Sequence, residues 1–377
     1  MTVREKIERI RHFISEKDLD GVLLRKRRSF SWLTDGQQNY IFTTSELGVA
    51  DLLIFEDKVY CITTKVEFAR IQEEELSKLE IEWITPEWYE GHQAAIRQLC
   101  SGKKIGTDVC PETIPLAAAI DVSQELAELS YVLSPEEIKR YRWLSQNVAR
   151  ALELTCQQIE PGLSEFEIQA QITSKILNLG IQSQVLLVAT DERIYKYRHP
   201  IPTEKRLESY AMLVLCGEKW GLVASATRFV HFGPIPAELR QNQRKLLEID
   251  LAFNLATMPG VPIKDVFLQG IEMYRKMGYG EDWRSLHQGG PTGYASREFL
   301  ANLECEGVVQ KHQAFAWNPS LKGIKSEDTI LATEKGPEFL THTGEWDYMP
   351  LEKNGQLYLR PDILIRSLKE HNGQKGA

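Results

Sequence analysis

Apolar residues recur at helical spacing over residues 3–17, at Val3, Ile7, Ile10, Phe13 and Ile14, and predict an amphipathic helix. The run Gly21-Val22-Leu23-Leu24 then predicts a buried strand, and residues 32–36 a short segment ending in a turn. Two apolar stretches, 51–55 and 59–63, flank Glu56-Asp57-Lys58 in the pattern of a hairpin. A charged helix over 66–76, a strand at 81–84, a helix over 93–99 and a strand over 104–108 follow. Strands alternating with helices predict a small α/β layer domain.

The pattern changes at Ser134-Pro135-Glu136-Glu137, where a capping serine, a proline at the first helical position and an acidic first turn mark a helix start. We place the domain boundary here, giving domains 1–133 and 134–377. The helix carries Tyr141, Leu144, Val148, Ala151 and Leu152 on one face. Pro161-Gly162-Leu163-Ser164-Glu165 breaks it and caps a second helix, which ends at Leu179-Gly180. Strands are expected at 185–189, 211–215 and 223–227, then helices at about 236–256 and 262–276. A helix pair followed by strands, occurring twice, predicts an internal pseudo-repeat.

At 377 residues the chain is long enough for two cores, and 42% hydrophobic and 26% charged residues suit a soluble globular protein. The net charge of −8 argues against nucleic acid or an anionic membrane as the main partner. The basic run Arg25-Lys26-Arg27-Arg28 reads as a solvated turn. Six scattered cysteines without a CxxC pair suit reduced thiols in a cytoplasmic protein. The N-terminal segment is charged and lacks a signal-peptide apolar region, and no apolar run is long enough for a membrane helix.

Candidate chemistry lies downstream. His287-Gln288-Gly289-Gly290 is followed by Asn318-Pro319 and by Lys325-Ser326-Glu327-Asp328-Thr329, and preceded by Leu215-Cys216-Gly217 and Ala224-Ser225-Ala226-Thr227-Arg228. In this order and spacing the segments resemble the catalytic half of the creatinase/prolidase/aminopeptidase P family, the pita-bread hydrolases. Pro161-Gly162-Leu163-Ser164-Glu165 resembles a turn of that family, and 334–341 its closing hairpin. The resemblance implies an α/β (α+β) fold: a small creatinase-type N-terminal domain before a pita-bread domain. The tail from Thr343 runs past the usual family end, to pack on the domain or line the site.

Metal-dependent members of the family hold two ions with two Asp, one His and two Glu. By resemblance those positions are Leu215, Ser225, His287, Asn318 and Glu327, so only His287 and Glu327 keep a strong ligand. Leucine offers no donor, and serine and asparagine offer neutral oxygen, whereas bridged divalent ions depend on anionic oxygen. No cofactor is expected; a weak single divalent ion on His287, Asn318 and Glu327 is the minority alternative.

Without a metal, His199 is the candidate general acid/base, because imidazole titrates near neutral pH and creatinase uses a histidine at the equivalent place. His287 would donate to a carbonyl or oxyanion, and Glu327 would orient an imidazole or hold a cation. Glu327 needs a partner if buried: a substrate, Lys325 or a histidine. Asn318 suits an amide or guanidino group, and Arg228 and Arg297 each suit a carboxylate. Thr227 stands where creatinase has a substrate-binding Glu, which argues against creatine. Gly289 and Gly290 would let backbone approach a ligand. Tyr294 and Trp317 would line the pocket or fill the core. Cys216 reads as buried rather than nucleophilic.

These readings point to a metal-independent, creatinase-like hydrolase cleaving a C–N bond in a small polar metabolite. The alternatives are a divergent Xaa-Pro peptidase with a residual metal and a catalytically silent binding protein. Trp32, Asp35, Gln38, Asn39 and Tyr40 sit where relatives lend substrate contacts across a dimer, so a homodimer is expected.

Overall fold

The computed structural model describes residues 1–114, 116 and 118–367. The final part of the tail from Thr343, residues 368–377, lies outside the described residues. The chain divides into two compact units: Met1–Arg140 with Lys219–Leu222, and Tyr141–Glu218 with Val223–Ala377.

The first unit holds helices α1 (Val3–Glu16), α2 (Arg27–Leu33), α3 (Lys65–Arg70), α4 (Gln93–Leu99) and α5 (Ser123–Glu128). Its strands are β1 (Gly21–Lys26), β2 (Leu47–Phe55), β3 (Val59–Thr63), β4 (Glu82–Ile84), β5 (Ile105–Thr107) and β6 (Ala119–Asp121). They form one sheet in the order β4-β3-β2-β1-β5-β6, with the expected β2–β3 hairpin antiparallel and β5 parallel to β1. Thr2 and Glu5 close a capping box on α1. Leu23, Leu53, Ile62, Ile96 and Ile105 fill the core.

The charged helix expected over 66–76 ends in a π-turn, Ile71–Glu75. The solvated-turn reading of the basic run is corrected. Arg25 and Lys26 finish β1, where both backbone N–H groups donate to Asp108, and Arg27 and Arg28 open α2. Buried Lys6 donates to Trp32 O at 2.7 Å and to Glu137 at 2.8 Å. Asp35 pairs with Arg140, and Asn39 donates to Ala50 O, so two of the expected cross-dimer residues have partners inside this unit.

The second unit takes in most of α6 (Pro135–Gln158), then α7 (Glu165–Leu177), β7 (Gln182–Thr190), α8 (Glu192–Lys196), β8 (Tyr210–Lys219), β9 (Leu222–Phe232), α9 (Ala237–Ala256) and α10 (Ile263–Lys276). Seven short strands precede the tail's end: β10 (Gly289–Thr292), β11 (Ala314–Trp317), β12 (Ser320–Leu321), β13 (Ile324–Lys325), β14 (Asp328–Thr333), β15 (Gly336–Phe339) and β16 (Tyr348–Lys353). β17 (Gln356–Pro361) and β18 (Leu364–Arg366) close the described chain.

Ser164 and Glu167 form the capping box that starts α7, and Ser134 and Glu137 exchange the same two hydrogen bonds at α6. α9 and α10 approach closely because Gly270 has no side chain; a Cβ there would lie 2.1 Å from the Phe253 ring. Trp317 stacks on Phe253 and Phe315 and donates to Thr257 Oγ1 at 2.9 Å. It is a core residue, so the pocket-wall alternative falls away.

Two four-stranded sheets, β18-β9-β8-β7 and β10-β11-β14-β15, carry the second unit. They meet where β9 runs beside β14. Thr227 N–H donates to Glu327 O at 3.0 Å, and Ser225 N–H to Thr329 Oγ1, which donates back to Ser225 O. This seam brings the β9 side chains against the Lys325–Glu327 segment.

The tail packs. β16 and β17 form an antiparallel hairpin, and β18 adds to β9 in parallel. Arg360 is fully buried and bonded to Asp250. It also lies 2.8 Å from Asp328 and over the Phe339 ring.

Candidate active site

The seam gathers Ser225 and Thr227 from β9, His287 from the approach to β10, Arg297 from the loop after it, Asn318 from the end of β11, and Lys325 and Glu327 around β13. Glu327 is the centre. Its carboxylate accepts from Arg297 Nη2 at 2.9 Å and Thr227 Oγ1 at 2.8 Å, and lies 2.8 Å from Lys325 Nζ. All four side chains are buried or nearly so. Burial pushes the Glu327 pKa up, but Lys325 and Arg297, with hydrogen bonds from Lys325 and Thr227, outweigh it and hold it at about 2.

Arg297 is the hub. Nη2 also donates to Asn318 Oδ1 at 3.0 Å, and Nη1 to Ser225 Oγ at 3.4 Å and to Ser296 O. The sequence reading assigned Arg297 to a substrate carboxylate; the carboxylate it grips is Glu327. Asn318 is engaged on both sides, since its amide donates to His287 O at 3.0 Å. Gly289, at φ +99°, is required by packing: a Cβ there would lie 2.1 Å from Ala316 O. Its backbone thus approaches β11, and this packing by itself accounts for the glycine.

His199 is exposed, and its ring centroid lies 5.8 Å from that of His287. Desolvation lowers the His287 pKa to about 4, with Arg297, Lys325 and His199 adding and Glu327 opposing. Desolvation and Lys325 lower that of His199. Both rings are therefore neutral at pH 7. His287 Nδ1 and Arg297 Nε are buried without a hydrogen-bond partner among the described residues.

The loop carrying His199 is held by Glu165. Its carboxylate accepts from Thr190 N and Oγ1, from Arg193 Nε, and from Thr203 N and Oγ1. In the sequence Glu165 stands as the end of the capping turn; nothing local marks it as a loop staple.

Arg228 does not reach the site as a ligand. It is fully buried, with Nε on Glu153, Nη1 on Thr227 O and Asp328, and Nη2 on Thr341 O. The substrate-carboxylate role assigned to it is corrected by this burial and by four internal bonds from its five N–H donors. Asp328 has burial against it, yet Arg228 and Arg360 keep it well below the usual carboxylate range. Tyr294 is buried, and its backbone N–H donates to Glu298. Cys216 is buried and accepts from Ser225 Oγ at 3.2 Å, and burial raises its pKa, so a nucleophilic role gains nothing.

These groups do not fit a pair of divalent ions. Leu215 has no donor atom and is buried. Ser225 and Asn318 supply neutral oxygen, and a guanidinium already touches Ser225, Asn318 and Glu327. Among the described residues no group of three His, Cys, Asp or Glu side chains is placed to hold a metal.

Two four-stranded sheets joined at such a seam, with α9 packed on α10, suit the pita-bread fold. Residues 139–334 match the model of metallopeptidase family M24, and the chain belongs to that family. An uncharacterized peptidase of Staphylococcus aureus (strain MW2) is 25% identical over 233 residues, 59% of this chain and 66% of that protein. The match therefore spans a little under two thirds of that relative. A Xaa-Pro dipeptidase from Bacillus anthracis shares the fold at TM-score 0.76 and 21% identity, covering 97% of this chain and 100% of that one. The N-terminal domain of the FACT complex subunit SPT16 from Cicer arietinum shares it at TM-score 0.69 and 12% identity, covering 91% and 96%. No helix among the described residues is long and apolar enough to cross a membrane.

Proposed function

We propose that this chain hydrolyses a C–N bond in a small polar metabolite without the metal pair of its family. The observation that carries this reading is the pair His199–His287, two neutral rings 5.8 Å apart, beside the cations Arg297 and Lys325. A neutral His199 is suited to take a proton from water and return it to the leaving nitrogen. His287 is suited to donate to the developing oxyanion, with Lys325 adding charge stabilisation. Glu327 holds the cations in place and has no lone role as a base.

The family and the Xaa-Pro dipeptidase fold favour a peptidase, but the donor set does not. A second reading, a binding protein without turnover, draws support from the saturation of Glu327 by three partners. A cytoplasmic homodimer remains part of the proposal, to be read by sedimentation and by fractionation.

The test pairs elemental analysis of protein purified without chelator with a panel of N-acyl, amide, guanidino and Gly-Pro substrates. Turnover without metal, reduced about 100-fold or more in His199→Ala, supports the hydrolase. Stoichiometric metal with chelator-sensitive Gly-Pro cleavage refutes metal independence. Ligand-raised Tm without turnover refutes hydrolysis in favour of binding.

A further inference from the structure

The tail builds a second recess, which shares no residue with the seam. Three elements line it: α9 with Arg244, Lys245 and Glu248, the end of α10 with Met277, and β16 with Met349 and Leu351. Its volume is about 440 Å³, within the range of small-molecule sites. β16 lies in the tail hairpin, so the recess is a product of the tail and not of the two four-stranded sheets.

The recess is apolar below and charged at the rim. α9 sends Leu246, Ile249 and Phe253 into the main core, while Leu247 and Leu251 pack with Leu351 of the hairpin. Leu351 is buried, and Met349 and Met277 are half-buried. Unbranched thioethers adapt to the outline of an apolar guest. Lys245 is held at the edge, its Nζ 4.9 Å from the Tyr279 ring centroid, and Tyr279 OH donates to Asn242 Oδ1 at 2.6 Å. Among the described residues no ion pair or hydrogen bond engages the side chains of Arg244 and Glu248, although they stand one turn apart on α9. Two cations and a carboxylate at the rim of an apolar hollow suit a zwitterion. A plain anion would face Glu248, and a plain cation would face Arg244 and Lys245.

We propose that this recess binds a free α-amino acid with an aliphatic or thioether side chain. Its carboxylate meets Arg244 and Lys245, its ammonium meets Glu248, and its side chain lies on Leu351, Met349 and Met277. The site stands apart from the seam, so it does not rest on the hydrolase reading.

The experiment is calorimetric titration of the full chain with L-leucine. L-leucinamide, N-acetyl-L-leucine and glycine run beside it; they lack the carboxylate, the ammonium and the side chain in turn. The recess predicts one-to-one binding of leucine, with each analogue weaker by about 10-fold or more. Arg244→Gln combined with Lys245→Gln should erase the preference for leucine over leucinamide, and Glu248→Gln the preference over N-acetyl-leucine. His199→Ala, at the seam, should leave leucine binding unchanged. Leucine affinity that survives the Arg244→Gln, Lys245→Gln double change, or that falls in His199→Ala, overturns the recess. So does equal affinity for leucine and any of the three analogues, or no heat with leucine up to about 10 mM. The wild-type comparison decides even if a variant fails to fold. Binding is read without turnover, so loss of the proposed hydrolase leaves the recess standing, and loss of the recess leaves the hydrolase.

Discussion

The guanidinium of Arg297 lies 2.9 Å from the carboxylate of Glu327, with both side chains nearly or wholly out of solvent. In a family that uses such a carboxylate to hold metal, this one is held by an arginine and, from the other side, by Lys325. The bond sets what the site will respond to.

Chelation should leave the protein unchanged. After EDTA treatment and dialysis, Tm should move by less than about 1 °C, and added manganese should not raise it, because a ligand that binds the native state stabilises it by mass action. Differential scanning fluorimetry decides this. A manganese-dependent rise would mean that the ion displaces Arg297 from Glu327.

Acid should act in two stages. His287 has its folded pKa lowered from 6.5 to about 4, so the unfolded chain binds a proton first, and stability falls as pH drops from about 6.5 towards 4. Glu327 has its folded pKa lowered from 4.5 to about 2; its contribution, about 3 kcal/mol, is full above 4.5 and is lost as pH falls towards 2. Urea titrations from pH 8 to pH 3 should show the first limb shrink in His287→Gln, with a remainder from His199 and His342, whose pKa values desolvation also lowers. An unchanged limb would assign it elsewhere.

Arg228→Met should destabilise the second unit by about 3–5 kcal/mol, because it leaves buried Glu153 without its cation and takes one of the two arginines from Asp328. A direct ligand role for Arg228 would instead raise KM with little change in Tm. Chemical denaturation and steady-state kinetics on the same preparation separate the two.

Glu165→Gln should loosen the loop that carries His199. Five donors converge on this carboxylate, and weakening them should cost about 3 kcal/mol. Amide exchange should quicken over residues 190–203 and leave α9 unchanged. Uniform quickening of both would show that Glu165 stabilises the unit as a whole.

Much of this fold is written locally. Periodicity places α1, α9 and α10, and the Ser164–Glu167 capping box marks the start of α7, because caps and amphipathic faces depend on neighbours in the chain. The short strands β12 and β13 and the tail strand β18 leave no such trace, since two or three residues carry no period. The site is legible in part for the same reason. Ordered motifs point to His287, Asn318 and Glu327, and Lys325 stands among the named partners of Glu327. Nothing local tells that Arg297 would turn inward to Glu327 while Arg228 is locked to Asp328, because both pairings join segments far apart in sequence.

The tail also bears on how the chain is made. Asp250 and Asp328 emerge from the ribosome well before Arg360, the cation that both require. Until residues 348–366 follow, a nascent chain has β9 open at the edge that β18 covers and two carboxylates short of a partner. The second unit therefore completes its folding late in synthesis, and in the interval it presents the kind of unfinished sheet edge and uncompensated interior that chaperones hold.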